Sequence, residues 1–435
     1  MNMRKTFLFT LVAAVALLSC GPKTTHPTAS PFIHVEKGQF IRNGQPYYYV
    51  GTNFWYGAIL GSTGQGGDRE RLGRELDYLK SVGIDNLRVL VGADGERGIP
   101  AKADPTLQVA PGVYNDTIFD GLDYFMAELG KRDMVAVLYM NNSWEWTGGY
   151  SVYLEWAGAG RAPIPAVDGW EAYKSRVEQY AQNDSAKAMF KRHVEHVVTR
   201  TNRYTGMKYI DDPALMAWQI GNEPRPFGEP NFPAFEEWVL DVAAQIKSLD
   251  PNHMVSTGSE GKWGCEGDVE MCERIHANPN VDYLTFHLWP LNWSWITKET
   301  VSEDLPAAKE GAKDYIDMHV AMARRIGKPV VMEEFGYPRD GFRFDKTAPV
   351  TARDAFYHYV FGLVADDAQQ NGAFAGCNFW GWGGFAEPMH ENWQVGDDYC
   401  GDPAQEQQGL NSVFASDAST MSIITDAVNR ISQHR

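Results

Sequence analysis

The sequence predicts a single (β/α)8 barrel with enlarged loops, and three observations predict it. Eight short apolar runs rich in β-branched and aromatic residues recur along the chain, and amphipathic helical stretches separate them. Several of the runs are continuously apolar, as parallel strands covered on both faces are. The length, 435 residues, would suggest two or three domains, but α/β barrels run long as single units and no linker divides the chain beyond its first thirty residues. A doubly wound open sheet is the competing class. It would need a phosphate-binding glycine turn after an early strand, and none is evident.

Taken in order, the chain opens with Arg4 and Lys5, an apolar run from Phe7 to Leu18, and then Ser19-Cys20. A charged start followed by an apolar stretch too short to span a bilayer reads as an export signal over residues 1–19. Its Leu17-Leu18-Ser19-Cys20 ending resembles a bacterial lipobox, which implies that Cys20 is lipidated. The protein is then expected to be an exported bacterial lipoprotein, periplasmic or at the cell surface, touching the membrane only through its anchor; a plain signal peptide, giving a secreted protein, is the alternative. Residues 20–31, rich in Thr, Pro and Ser, form a tether, and 32–435 form one catalytic domain. The expected strands are Tyr47–Trp55, Asn86–Val91, Met134–Asn141, Leu215–Asn222, Met254–Gly258, Tyr283–Trp289, Pro329–Phe335 and Gly372–Trp380. Helices are expected over Arg69–Ser81, with Leu72, Leu76 and Leu79 at helical spacing, and over Asp116–Lys131, with Ile118, Leu122, Phe125 and Leu129. A third, Ala186–Thr205, follows the capping residues Asn183-Asp184-Ser185.

Composition narrows the function. With 39 basic and 56 acidic residues the formal charge is −17, and a surface that acidic repels phosphate backbones, so nucleic acid is not the expected partner. Fourteen tryptophans suit stacking on flat, hydroxylated ligands, though a large core can also absorb them. Beyond Cys20 the cysteines are Cys265, Cys272, Cys377 and Cys400. In an exported chain these are disulfide candidates, Cys265–Cys272 closing a short loop and Cys377–Cys400 a longer one, although four cysteines allow three pairings. No zinc-site spacing is present. His193 and His196 lie three apart on a helix but lack further ligands, so a solvated helix face is expected there and no metal or organic cofactor.

In such barrels chemistry collects where strands end. The fourth strand runs into Gly221-Asn222-Glu223-Pro224-Arg225, and the seventh into Glu333-Glu334-Phe335-Gly336. Each sets a carboxylate just past a buried apolar run, where an ionised side chain is costly without a partner or a task. Arg88, inside the second strand, is a guanidinium that wants such a carboxylate. Two carboxyls across a cleft are what glycosidic bond cleavage needs, one protonated to give a proton to the leaving oxygen and one ionised to attack. Burial and mutual repulsion would raise one of them, while Arg88 would keep the other low. Barrel-rim ion pairing is the bland reading of either glutamate alone; both together, with aromatics around them, favour catalysis.

Asn222-Glu223-Pro224 with Glu334-Phe335-Gly336 resembles glycoside hydrolase family 5, retaining glycosidases on a (β/α)8 barrel. The wider set resembles its endo-β-1,4-mannanase branch: Gly51-Thr52-Asn53-Phe54-Trp55, Asn141-Asn142-Ser143-Trp144, Gly148-Gly149, Tyr153-Leu154-Glu155-Trp156, His287-Leu288-Trp289-Pro290 and Asn378-Phe379-Trp380. The resemblance implies Glu223 as acid/base and Glu334 as nucleophile. Glu333 is set aside because adjacent strand residues face opposite ways. It further implies Asn222 at the sugar 2-hydroxyl, Arg88 orienting Glu334, His287 near the acid/base, and Trp380 as the floor for the sugar at the scissile bond. Trp55, Trp144, Trp293 and Trp295 are candidates for neighbouring subsites. Asn53, Asn141 and Asn142 are candidates for hydroxyl contacts, and Arg225 for the leaving-group side. One departure stands out: much of the family has a tyrosine where this chain has Trp289, whose indole N–H donates but cannot accept.

The expected activity is hydrolysis of β-1,4-mannosidic bonds in mannan, galactomannan, glucomannan or manno-oligosaccharides. An endoglucanase and an exo-acting mannobiohydrolase are the alternatives within the chemistry, and a non-catalytic, lipid-anchored glycan-binding protein is the alternative outside it. Endo against exo action turns on whether the 142–182 or the 385–408 loop blocks one end of the cleft. Oligomeric state is not read from the sequence.

Overall fold

The structure, a computed structural model, describes residues 30–432; the expected export signal, Cys20 and nearly all of the expected tether lie outside the described residues. Eight parallel strands form the central sheet: β1 (Tyr49–Asn53), β2 (Asn86–Leu90), β3 (Val135–Tyr139), β4 (Leu215–Gln219), β5 (Met254–Ser256), β6 (Leu284–Leu288), β7 (Val330–Phe335) and β8 (Phe374–Phe379). Across the sheet, in the order β5-β4-β3-β2-β1-β8-β7-β6, each strand pairs with its sequence neighbour, and β8 pairs with β1. Between β5 and β6 the ring is drawn together by Asp282 N–H donating to Val255 O at 2.8 Å and by Thr257 and Thr285 hydroxyls 3.1 Å apart. This is a (β/α)8 barrel. Every residue of the eight strands is buried, which is why the sequence shows apolar runs rather than alternation.

Each strand is followed by a helix: α1 (Arg69–Ser81), α2 (Asp116–Lys131), α3 (Asp184–Val198), α4 (Phe232–Leu249), α5 (Val269–Ala277), α6 (Leu305–Ile326), α7 (Thr351–Ala368) and α8 (Ala418–Ser432). Side chains of Asp68, Asn115, Asn183 and Asp268 accept backbone N–H groups in the first turns of α1, α2, α3 and α5. The first two helices have the expected limits. The third starts two residues earlier than expected, because Asn183 is the cap, and ends at Val198, where Asn202 turns the chain by accepting from Tyr204 N and Thr205 N.

A three-stranded antiparallel sheet (His34–Glu36, Gln39–Arg42, Gln45–Pro46) covers the end of the barrel where the strands begin. There Arg42 binds Asp85, just before β2, and Asp133, just before β3, both at 2.8 Å. The opposite end carries the long loops. After β2, a hairpin (Gln108–Ala110, Val113–Tyr114) sets Tyr114 against α3. The expected solvated His193–His196 face is half covered: His193 is buried, which lowers its pKa to about 3, while His196 stays exposed and stacks on Tyr114 at 4.2 Å.

The four described cysteines are buried free thiols, so neither expected disulfide is formed. Cys265, Cys272 and Cys377 sit in the main core, with Cys272 Sγ 3.7 Å from His276 Nδ1. Cys400 sits apart, packed with Ala386 and Phe414.

Candidate active site

The strand-end residues converge on Arg88, which is fully buried in β2. Its Nε donates to Gln219 Oε1 (2.8 Å), Nη1 to Asn53 Oδ1 (3.1 Å) and Glu334 Oε1 (2.5 Å), and Nη2 to Asn222 Oδ1 (2.9 Å). Its guanidinium lies 4.5 Å from the Tyr139 ring. One side chain thus ties together the ends of β1, β2, β4 and β7, and a five-donor planar fork is what makes that possible.

Glu223 faces Glu334 across this hub. A Glu223 oxygen, a Glu334 oxygen and a His287 ring nitrogen lie within 4.8 Å of one another. His287 Nδ1 is 2.7 Å from Glu223 and 3.3 Å from Glu334. Trp144 Nε1 donates to Glu223 Oε2, and Trp289 Nε1 to Glu334 Oε2 at 3.2 Å. The indole therefore supplies the donor role open to it. Glu223 itself sits at φ +51°, a conformation non-glycine residues rarely adopt. Its N–H donates to Gly258 O (2.9 Å) and its carbonyl accepts from Ser143 Oγ. Gly258 must be glycine: its φ is +73°, and a Cβ there would lie 1.9 Å from Gly221 O.

Burial, followed by repulsion from Glu223, pushes Glu334 well above the ordinary carboxylate range, and burial raises Glu223 as well. The expectation that Arg88 would hold Glu334 low is corrected: desolvation exceeds the guanidinium's pull. Two such carboxyls cannot both ionise readily, so the pair shares one proton, and Arg88 draws the single negative charge to Glu334. His287 is held far below its usual pKa by burial and then by Arg88, so its imidazole is neutral.

Glu334, not Glu333, lines the cleft, but for a different reason than alternation. The register slips between β6 and β7, Phe286 pairing with Met332 and His287 with Glu334, so Glu333 is an extra residue in a bulge. Both carboxyls reach toward Arg88; Glu333 accepts from Gln219 and from Tyr283 Oη (3.3 Å).

The cleft, of about 830 Å³, is lined by Glu223, Glu334, Asn222, Arg225, Trp144, Trp289, Trp293 and Trp380 among the expected residues. Five expected ligand contacts are not there. Trp55 is buried behind Trp146, its indole donating to Gly401 O (3.0 Å). Trp295 packs on Trp293 and Tyr315. Asn53 donates to Glu333 O (2.8 Å) besides holding Arg88. Asn141 caps Asn142 N (2.7 Å), and Asn142 accepts from Trp144 N (3.0 Å) and from Asn222 (3.3 Å). These asparagines shape the rim from beneath.

Sequence reading missed Trp146, Trp170, Trp263, Glu260, Glu145 and Glu406, all of which line the cleft. Glu260 was within reach of the strand-end test, four residues beyond β5; it binds Arg225 at 2.5 Å, and Arg225 in turn lies 5.4 Å from the Trp144 ring. Glu145, Trp146 and Trp263 lie in single 3-10 turns, Trp170 opens a short helix (Trp170–Val177), and Glu406 lies in a loop, none of which carries a strand-end signal.

A family profile described as GH family 5 beta-mannosidase-like matches residues 30–435. A rice (Oryza sativa subsp. japonica) protein named putative mannan endo-1,4-beta-mannosidase 9 is 29% identical over 402 residues, 88% of each chain. The family 5 mannosidase structure from Rhizomucor miehei superposes with a TM-score of 0.84 at 31% identity, covering 93% of this chain and 98% of that one. An endo-β-1,4-mannanase from Thermotoga petrophila superposes at 0.67 with 25% identity, covering 89% and 77%.

Proposed function

The chain belongs to glycoside hydrolase family 5, and from that premise we propose that it is a retaining endo-β-1,4-mannanase with Glu334 as nucleophile and Glu223 as acid/base. The observation that carries this reading is the spacing of the two carboxyls. Oxygens within 4.8 Å leave room for a covalent intermediate, whereas inverting enzymes keep their carboxyls about 6.5–9.5 Å apart to admit a water.

In the first step Glu334 Oε attacks the anomeric carbon, the bond to the leaving oxygen breaks, and the Glu223 proton passes to that oxygen. In the second, Glu223, now ionised, takes a proton from water. The resulting hydroxide oxygen displaces Glu334 at the same carbon, so configuration is retained and both carboxyls return to their starting states. Arg88 and Trp289 hold the attacking carboxylate, while Trp144 and His287 hold the acid. Asn222, anchored on Arg88, is placed for the 2-hydroxyl at which mannose differs from glucose. Trp380 offers an aromatic face to the sugar ring.

Mannan as substrate is supported by the mannanase names of the relatives. Reducing-sugar release from galactomannan, glucomannan and carboxymethylcellulose tests it: activity on the first two is expected, and activity on carboxymethylcellulose alone would transfer the enzyme to glucans. A steep fall in mannan viscosity at low conversion is expected of internal cleavage; monosaccharide or disaccharide release without that fall would overturn the endo assignment. Export and anchoring through Cys20 belong to the same proposal. Labelling with a radioactive fatty acid, abolished by Cys20→Ala, tests them.

A further inference from the structure

We propose that Glu145 and Glu406, carried on the loops after β3 and β8, form a hydroxyl-binding pair for the sugar unit on the Trp380 side of the cleft. The proposal rests on the hydrolase reading above and deepens it. Both side chains line the same cavity as Glu223 and Trp380. Each has a solvent-shielded Oε2 with no hydrogen-bond partner, and so do Gln405 Oε1 and Trp380 Nε1 in the same wall. Buried polar atoms are normally partnered, so four without partners in one wall mark where a ligand's polar groups belong.

The rest of the cleft shows the contrast. Glu260 is bound by Arg225 at 2.5 Å, and Glu334 by Arg88 at 2.5 Å. Among the described residues, no cation lies within salt-bridge distance of Glu145 or Glu406. Two backbone arrangements bring them to Trp380. Trp146, next to Glu145, meets the Trp380 ring edge-on at 6.2 Å. In the other loop, Gly401 packs so closely on Gly381 that a Cβ on either would fall within about 3 Å of the other's backbone, which lays the 401–411 segment beside Trp380.

Their chemistry selects an uncharged polyol. Burial brings Glu145 to about 7. Burial, then Asp402 and the nearby Glu223 and Glu145, brings Glu406 to about 8, with Asn411 acting in the other direction. The remaining ionisable group facing them is the Tyr173 phenol, beside Glu145. A carboxyl that keeps its proton can donate and accept at once, as each sugar hydroxyl does. A uronic acid unit would instead press a third acidic group against two carboxyls that no described cation pairs. The pair thus favours neutral mannosyl units over acidic ones on this side of the cleft.

The test is steady-state hydrolysis of mannotetraose by wild type, Glu145→Gln, Glu406→Gln, Glu145→Met and Glu406→Met. The Met variants keep side-chain volume and remove hydrogen bonding, so folding is preserved; thermal melts verify it. Each Met variant is expected to lose about 10–100-fold in kcat/KM, mostly through KM, and each Gln variant to recover to within about threefold of wild type. Met variants within about twofold of wild type, or a loss confined to kcat, would overturn the pair. Wild type inactive on mannotetraose and on mannan would instead overturn the hydrolase reading beneath it.

Discussion

Two of the buried arginine centres among the described residues are built differently. Arg88 donates only to side chains, those of Gln219, Asn53, Asn222 and Glu334, every one near a strand end. Arg339 and Arg353, equally buried, donate mainly to backbone carbonyls. Arg339 reaches Gly409 O (3.0 Å) and Ala348 O (3.1 Å) besides Asp417, and Arg353 reaches Tyr337, Ser412 and Leu410 at 2.7–2.9 Å. The second centre fastens the 409–412 segment to the barrel wall. The first orients the groups proposed to react. Burial of a guanidinium alone does not mark chemistry; what it donates to does.

That contrast can be broken at several points, taken from the largest expected loss of activity to the smallest. Glu334→Gln should lower kcat by at least about 10⁴-fold with the fold intact, because no attacking carboxylate remains. Glu223→Gln should cost about 10²–10⁴-fold on mannan, and less on an aryl mannoside whose leaving group needs no proton. Wild-type kcat/KM should trace a bell against pH. Its acid limb marks the coupled Glu223–Glu334 pair taking up a second proton, and its alkaline limb marks the pair losing the one it shares. Because burial raises both carboxyls, both limbs lie above the ordinary carboxylate range, and Glu223→Gln should abolish the alkaline limb alone. Arg88→Lys should cost about 10²-fold, since an ammonium cannot serve four acceptors in one plane. Arg339→Met should behave oppositely. Leaving Asp417 buried beside one remaining arginine, it should lose about 3–5 kcal/mol in denaturant melts, with kcat of the folded protein within about threefold of wild type. A large kcat defect there would erase the distinction between the centres.

The barrel was legible because each strand carries its own signal. Runs such as Val135–Tyr139 need no distant residue to declare themselves, and Asp68 or Asn115 announce the helices that follow. Glu223, Glu334 and Arg88 were legible for a related reason: charge inside or at the end of an apolar run is conspicuous. The asparagines and Trp55 were misplaced because a strand-end position does not say whether a side chain meets ligand or supports the next layer. Asn53, between Arg88 and the Glu333 carbonyl, is the plainest instance. Glu333 was set aside correctly on a mistaken premise, since a bulge is a property of two paired strands and leaves no trace in one. Glu145 and Glu406 stayed hidden because they lie on separate loops and come to line one cavity only in the fold, where Gly401 packs on Gly381.

The antiparallel sheet over the strand starts fixes where the polypeptide enters the barrel, at the pole opposite the mouth. Its first described residues pack there, Phe32 against His253 just ahead of β5. Anything joined to the chain ahead of Ser30 therefore attaches at the far pole from the cleft, which leaves the mouth open to a long polymer on its own side.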